Sequence, residues 1–395
     1  MHRHARRLPP LPAFWAVAGA FLAAMAFTTI PTPLYALYQQ RDGFPTWVVT
    51  VVFAAYAVGV AASLSLVGHV SDRVGRRPPA IAAVLLELAA AVVFIVWPAV
   101  PGLLVARLLT GLGVGALTAA ATAHLGELWS GAGRDGATPA SVATLANIGG
   151  LGVGPLVAGL LAQYVAVPLV VPYAVGGAAL LLAAVALLLA PETVEARPWR
   201  WHPQRLHVPQ EGRGAFWAAG AAAFAGFAVF GLVTALSPTF VAGEFHATSR
   251  LDAGLVPFGT LAVAAVGQVF LTRVPMRVQL VVATAAMVLG LAALAAGALA
   301  ASLPLFAGGA LVAGFGVGLL FRGALATASG LVEPGERGSV LAAVFLIAYL
   351  GLTIPVLLVG AALVVAPAVP VLVVFSGVML VLALLAGPRM ALRAA

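Results

Sequence analysis

The chain has 395 residues, 63% of them apolar and only 8% charged, where a soluble domain carries roughly 25% charged residues, so the composition points to an integral membrane protein. Its net charge of +8 comes from 20 basic and 12 acidic residues, every basic one an arginine, and these are scattered through short loops, which argues against a nucleic-acid surface. Cysteine is absent, the seven histidines never take a metal-ligand spacing and no Walker motif occurs, which excludes disulfides and thiolate metal sites and argues against ATP-driven work; no cofactor is expected.

Residues 1–7 carry Arg3, Arg6 and Arg7 ahead of an apolar run too long for a signal peptide and without an obvious small-residue cleavage site. They read as the start of a retained first span with its N-terminus inside. A membrane helix needs about 20 mainly apolar residues, and helix is the economical way for such a stretch to satisfy its backbone in lipid. Twelve are predicted. The first four are 14–38, 46–67, 80–97 and 100–124, and the next four are 138–163, 168–190, 215–240 and 251–271. The last four are 278–300, 304–330, 338–362 and 366–387.

Loop charges agree with an even count. With the N-terminus inside, the inner segments hold 16 arginines and the outer ones hold two, Arg41 and Arg250, a strong positive-inside bias. The longest polar connection, 191–214, carries four arginines and separates six spans from six. It is too short to build a core. The chain therefore divides into 1–190, a cytoplasmic linker 191–214, and 215–395. The halves echo one another at an offset near 200: the Gly-x-Gly-x-Gly of 111–115 returns at 314–318, and Pro155 with Gly159 returns as Pro355 with Gly360. Several matches in one order point to duplication.

The turn after the second span, 68–77, holds Gly68, Asp72, Arg73, Gly75, Arg76 and Arg77. Its glycines permit close approach or positive φ, and its charges keep it in water or headgroups. It is either an ordinary basic loop or a conformational latch, with Asp72 accepting hydrogen bonds from a neighbouring helix terminus or an arginine. Gly111, Gly150, Gly154 and Gly159 let helix backbones pack closely. Pro155 adds a kink and frees a carbonyl, so a thin, bent fifth helix between the halves would let them rock while staying sealed.

Arg107 falls about seven residues into the fourth span, near 10 Å deep. It either snorkels to the outer interface or contacts substrate or tunes a proton-carrying group. Glu87 is the one acid well inside a span, either a carboxyl able to exchange a proton or a polar contact to a neighbouring helix. His124 and Glu127 read as capping the fourth helix at its inner end, with His124 at the surface. Thr28 and Tyr35 in the first span, Phe227 and Phe230 in the seventh, Phe321 and Tyr349 are candidates for a cavity lining. Arg322 joins them as a group that closes an inner gate, faces an anion or snorkels. A cavity so lined is largely apolar and aromatic, which suits a hydrophobic or amphiphilic solute better than a sugar or phosphate. A membrane-embedded enzyme would need catalytic carboxylates or histidines clustered at one depth, and none is evident.

On these residues the chain resembles the major facilitator superfamily, most closely its twelve-helix drug:proton antiporters. Gly68-x-x-x-Asp72-Arg73-x-Gly75-Arg76-Arg77 matches the superfamily signature after helix two, and Arg107 with Gly111 matches its fourth-helix motif. Gly150-x-x-x-Gly154-Pro155-x-x-x-Gly159 resembles the fifth-helix antiporter motif with one extra residue before its last glycine, and Pro191-Glu192-Thr193 resembles a common ending of the sixth helix. The resemblance implies an all-α integral membrane protein with twelve transmembrane helices in two pseudo-symmetric six-helix bundles. It implies alternating access, proton-coupled efflux, a part for Asp72 in a charge network that stabilises the outward-open state, and a tie between Arg107 and proton coupling. Partners are then a small-molecule substrate, protons and membrane lipid, with no nucleic acid. The protein would act as a monomer in the bacterial cytoplasmic membrane with both termini cytoplasmic. Two departures stand out: the loop 267–277 has no acid, and helix one has no carboxylate, so Glu87 and Asp72 are left as candidate proton carriers. The alternatives are a sugar or metabolite transporter of the same superfamily and a non-transporting membrane receptor.

Overall fold

A computed structural model describes residues 7–67, 70–195, 206–245, 249–333 and 336–393. Among them twelve helices are long and apolar enough to cross a membrane, and no strand is present. They are α1 (Pro10–Asp42), α2 (Thr46–Leu66), α3 (Arg77–Val96), α4 (Val100–Gly131), α5 (Thr138–Tyr164) and α6 (Val171–Leu189). The second six are α7 (Arg213–Ala235), α8 (Arg250–Arg273), α9 (Met276–Leu299), α10 (Leu303–Ser329), α11 (Arg337–Ala362) and α12 (Ala368–Ala391). Large apolar side chains such as Val92, Leu182, Leu289 and Val374 are exposed on the outside of the assembly, where lipid is the solvent that accepts them.

Three of the boundaries that differ from the sequence reading bear on the site. α1 is longer than 14–38 and is interrupted at Ile30, because Pro31 and Pro33 start a second helical segment. α4 continues past residue 124 to Gly131, so His124 and Glu127 lie within it and not at its end. α7 stops at Ala235, and Pro238 opens a separate short helix, Ser237–Gly243; proline is favoured in a first turn, where its missing N–H costs nothing.

The packing repeats. α1 lies against α4, α5 and α6 as α7 lies against α10, α11 and α12; α3 meets α4 and α6 as α9 meets α10 and α12; α2 meets α4 as α8 meets α10. The glycine triplets show the repeat at atomic detail. A Cβ on Gly111 or Gly113 would strike the carbonyls of Tyr56 and Ala83 and one on Gly115 the Ser63 side chain, while one on Gly314, Gly316 or Gly318 would strike the carbonyls of Thr260, Ala283 and Ala264. Each triplet thus lets its helix press on two neighbours at once. Between the two bundles, α5 packs on α8 and α2 on α11, contacts that the same pseudo-twofold exchanges.

A candidate solute cavity between the bundles

α1, α2, α4 and α5 on one side and α7, α8, α10 and α11 on the other enclose a cavity of about 350 Å³. Its two ends differ. At the face bearing Arg41 and Arg250 the bundles are in contact. Thr239 donates to Gln39 at 3.2 Å, and Arg250 donates from its backbone to Gln163 at 2.9 Å and from its guanidinium to the Ala162 carbonyl at 2.7 Å. A Cβ on Gly254 would lie 2.3 Å from the Pro155 carbonyl oxygen, and one on Gly360 2.2 Å from the Thr50 hydroxyl. Toward the opposite, arginine-rich face the lining passes through Thr118, Thr122, Ala140 and Thr144. Thr122 and Ala140 there are exposed, whereas Arg107 and Thr29 at the sealed end are buried. The cavity is therefore closed at the arginine-poor face and open toward the arginine-rich one.

Its walls are chemically unlike. The second bundle supplies aromatic rings: Phe227 lies 4.8 Å from Phe321 and 5.5 Å from Tyr349, and Phe321 lies 5.6 Å from Phe345, centroid to centroid. The first bundle supplies the polar Thr29, Thr118, Thr122, Thr144, Asn147 and Arg107, with the rings of Phe53 and Tyr56 beside Arg107. Arg107 is 1% exposed. Its Nη1 donates to the Thr28 carbonyl at 2.6 Å, and its guanidinium stands 4.6 Å from the centroid of Tyr56 and 5.5 Å from that of Phe53. Among the described residues its Nε has no hydrogen-bond partner. Arg107 does not snorkel; it is held at the sealed end of the cavity.

Of the cavity candidates, Phe227, Phe230, Phe321 and Tyr349 line it. Three do not. Thr28 gives its carbonyl to Arg107 while its neighbour Thr29 faces the space. Tyr35 lies beyond the break at Ile30 and is fully packed. Arg322 donates to the Gln268 carbonyl at 2.8 Å, an acceptor in the last turn of α8 without an intrahelical donor. The sequence reading missed Phe53, Tyr56, Thr118, Thr122, Asn147 and Phe345. Thr118 and Thr122 lie 11 and 15 residues after Arg107, about three and four helical turns, so a stripe of one helix face pointed to them.

The fifth-helix glycines serve two interfaces. Gly150 and Gly154 leave room for Met25 and the Ala26 carbonyl of α1, and Gly159 for Gly254 of α8. A π turn at Leu145–Gly149 precedes them, and the Leu151 carbonyl that Pro155 cannot serve accepts the Thr29 hydroxyl at 2.8 Å.

The three coupling candidates are not brought together. Glu87 is buried on α3 and is not itself part of the cavity lining; its side chain lies against Gly113, and among the described residues neither carboxyl oxygen is hydrogen bonded. Arg107 sits in the cavity. Asp72 belongs to a cluster on the arginine-rich face. There Arg76 donates to Asp72 at 2.5 Å, Ser71 at 3.0 Å and Glu127 at 2.7 Å. Burial works against the Arg76 charge, but its hydrogen bonds to Glu127 and Asp72 outweigh that and hold its pKa above the ordinary arginine value. Glu192 accepts the backbone N–H groups of Arg76 and Arg77 at 2.7 and 3.0 Å, so the helix-terminus contact considered for Asp72 is made by Glu192 at the start of α3. Gly75, at φ 102°, leaves the space that the Glu192 carboxylate fills. Arg77 donates to the Leu187 and Leu188 carbonyls, and Arg73 is exposed. All these bonds lie within the first bundle and the start of the 191–214 connection. Gly68 lies outside the described residues. His124, expected at the surface, is fully buried, because its Nε2 bonds the Pro191 carbonyl at 2.9 Å and ties α4 to the end of α6. Among the described residues no group of His, Cys, Asp or Glu is placed to hold a metal.

The sequence pattern described as Major Facilitator Superfamily matches residues 16–356. Solved structures of the same shape include the human organic anion transporter MFSD10 (TETRAN), 18% identical over 96% of this chain and 100% of that one, with a TM-score of 0.66. A mutant of the nucleoside transporter NupG is 12% identical over 96% and 99%, TM-score 0.69. A POT family transporter in complex with 5-aminolevulinic acid is 12% identical over 96% and 96%, TM-score 0.76. No curated protein sequence matches the chain.

Proposed function

The chain belongs to the Major Facilitator Superfamily and is a multi-pass membrane transporter; from that premise we propose that it exports a small hydrophobic or amphiphilic solute in exchange for protons. The observation that carries this reading is the cavity itself. It lies between two bundles, is rich in aromatic rings, most of them on the second bundle, and is open at one face while sealed at the other. A solute enters from the open side, and rocking of 1–190 against 215–395 about the α5–α8 and α2–α11 contacts exposes it to the other. The 191–214 connection serves as the linker between them.

The arginine bias favours an orientation in a bacterial cytoplasmic membrane with both termini and the Asp72 loop inside. In that orientation the cavity faces the cytoplasm, the state in which an exporter loads. The protein works as a monomer in lipid and does no covalent chemistry on its solute. Glu87 is the group we assign to proton carriage, since a carboxyl without partners in apolar surroundings is costly to keep ionised. In this state the Asp72 loop is bonded within its own bundle, and the latch would engage the second bundle once the inner ends close. The aromatic wall favours this reading over a sugar or polar metabolite.

The test is counterflow in proteoliposomes with an amphiphilic aromatic dye, with and without an imposed pH gradient. Saturable dye exchange accelerated by the gradient supports proton-linked transport. Dye movement that neither saturates nor responds to the gradient would remove it.

A further inference from the structure

We infer that the solute is an organic monoanion whose anionic head pairs with Arg107 while its apolar body lies on the aromatic wall. This deepens, and rests on, the transporter reading above. Among the described residues the cavity lining contains one arginine and no acidic side chain. Among the described residues no carboxylate lies within ion-pair distance of Arg107: the ion pairs are Arg41 with Asp42 and Arg76 with Asp72 and Glu127. Glu87, the one acid deep in a span, packs on Gly113 and lines no part of the cavity.

Arg107 is therefore a desolvated cation served only by neutral groups. A carbonyl takes one of its five N–H donors, two ring faces attract it, and Nε is left without a partner. Ring faces stabilise a cation far less than an ionic partner does in a site shielded from water. Among the described residues nothing supplies the countercharge, and a bound anion does.

The layout sets the orientation. Arg107 is at the sealed end, and Thr122 at the open end is 15 residues further along α4, about 22 Å of helix rise. An anion entering head first meets Arg107 last, with its body opposite Phe227, Phe321 and Tyr349. A single cation matches a single negative charge, so a carboxylate or sulfonate fits better than a phosphate dianion, which would need more donors.

The test compares three probes of one shape, naphthoate, its amide and naphthylmethylammonium, for binding to the purified full chain. The expected result is naphthoate bound at least about tenfold more tightly than either of the others. Arg107→Gln should abolish that preference and Arg107→Lys should keep part of it, since an ammonium holds the charge without the guanidinium fork. The inference fails if the amide or the ammonium binds as well as naphthoate, if none binds, or if Arg107→Gln retains the preference. The first comparison uses the unaltered chain, so a variant that misfolds does not blunt it. Counterflow of the same probes separates the two readings. Exchange of the amide or ammonium without naphthoate keeps the transporter and removes the anion assignment. Preferential naphthoate binding with no probe moved keeps the assignment and removes the transporter reading.

Discussion

Thr29 of α1 donates its hydroxyl to the carbonyl of Leu151 on α5 at 2.8 Å, the acceptor that Pro155 leaves without its helical N–H. A kinked membrane helix is stabilised where a side-chain donor takes up the freed carbonyl. Thr29→Val should therefore cost about 1–3 kcal/mol, read as a lower unfolding midpoint in one detergent. In a Pro155→Ala background the restored N–H at 155 takes the carbonyl, and the cost of Thr29→Val should fall by more than half. An equal cost in both backgrounds would show that the hydroxyl is not serving that carbonyl.

Gly254 sits where the bundles seal the arginine-poor face, with the Pro155 carbonyl 2.3 Å from where its Cβ would be. Backbone cannot yield as a side chain does, so Gly254→Ala should push the bundles apart at that end and shift the population toward the state open there. The chain has no cysteine, which makes a single reporter simple. Thr122→Cys, exposed on the arginine-rich side, should lose reactivity to an impermeant maleimide by about threefold or more when Gly254→Ala is added. Unchanged reactivity would mean that this glycine does not set the balance.

The twelve spans and their repeat were legible because lipid imposes a one-dimensional signature of length and apolarity. The glycine triplets were legible for the same kind of reason, since close helix approach demands small residues at fixed spacing. The cavity was legible in part. Phe227, Phe230, Phe321 and Tyr349 stood out as aromatic residues in otherwise small-residue helices. Thr28 and Thr29 differ by about 100° around the helix, and only the position of Arg107 decides which of the two faces the space. Arg322 was misplaced for a tertiary reason: its partner is the backbone of α8, which sequence does not put beside α10. His124 was misplaced because its acceptor, the Pro191 carbonyl, arrives from the end of a different helix.

Arg76 holds the loop after α2 against the end of α4, and its two carboxylate partners are not equivalent. Glu127 is two-thirds shielded, whereas Asp72 is 62% exposed. Asp72→Asn should cost under about 1 kcal/mol, as exposed ion pairs do. Glu127→Gln should cost more, about 1–2 kcal/mol, because it leaves a largely buried guanidinium short of charge. Melting curves of the two variants in one detergent check the order. Because the Arg76 pKa is raised in the folded chain, its contribution is full at every pH below the ordinary arginine value and fades only above it. Between pH 6 and 9, roughly the span open to measurement, stability changes should therefore not trace to this guanidinium. A variant order opposite to this one would place the main contact at Asp72.

Glu87 is the residue for which stability and function should part company. Both its oxygens are buried without a hydrogen bond, and removing an unsatisfied buried polar group is commonly neutral or favourable. Glu87→Met keeps much of the volume and should hold or raise the unfolding midpoint, by up to about 2 kcal/mol of stability. The same change, and Glu87→Gln, should abolish proton movement driven by the solute while leaving solute binding within about twofold. A structural glutamate predicts another pattern: lower stability in both variants with the ratio of protons to solute unchanged. That second pattern would return the search for the carrier to the Asp72 loop or to the solute itself.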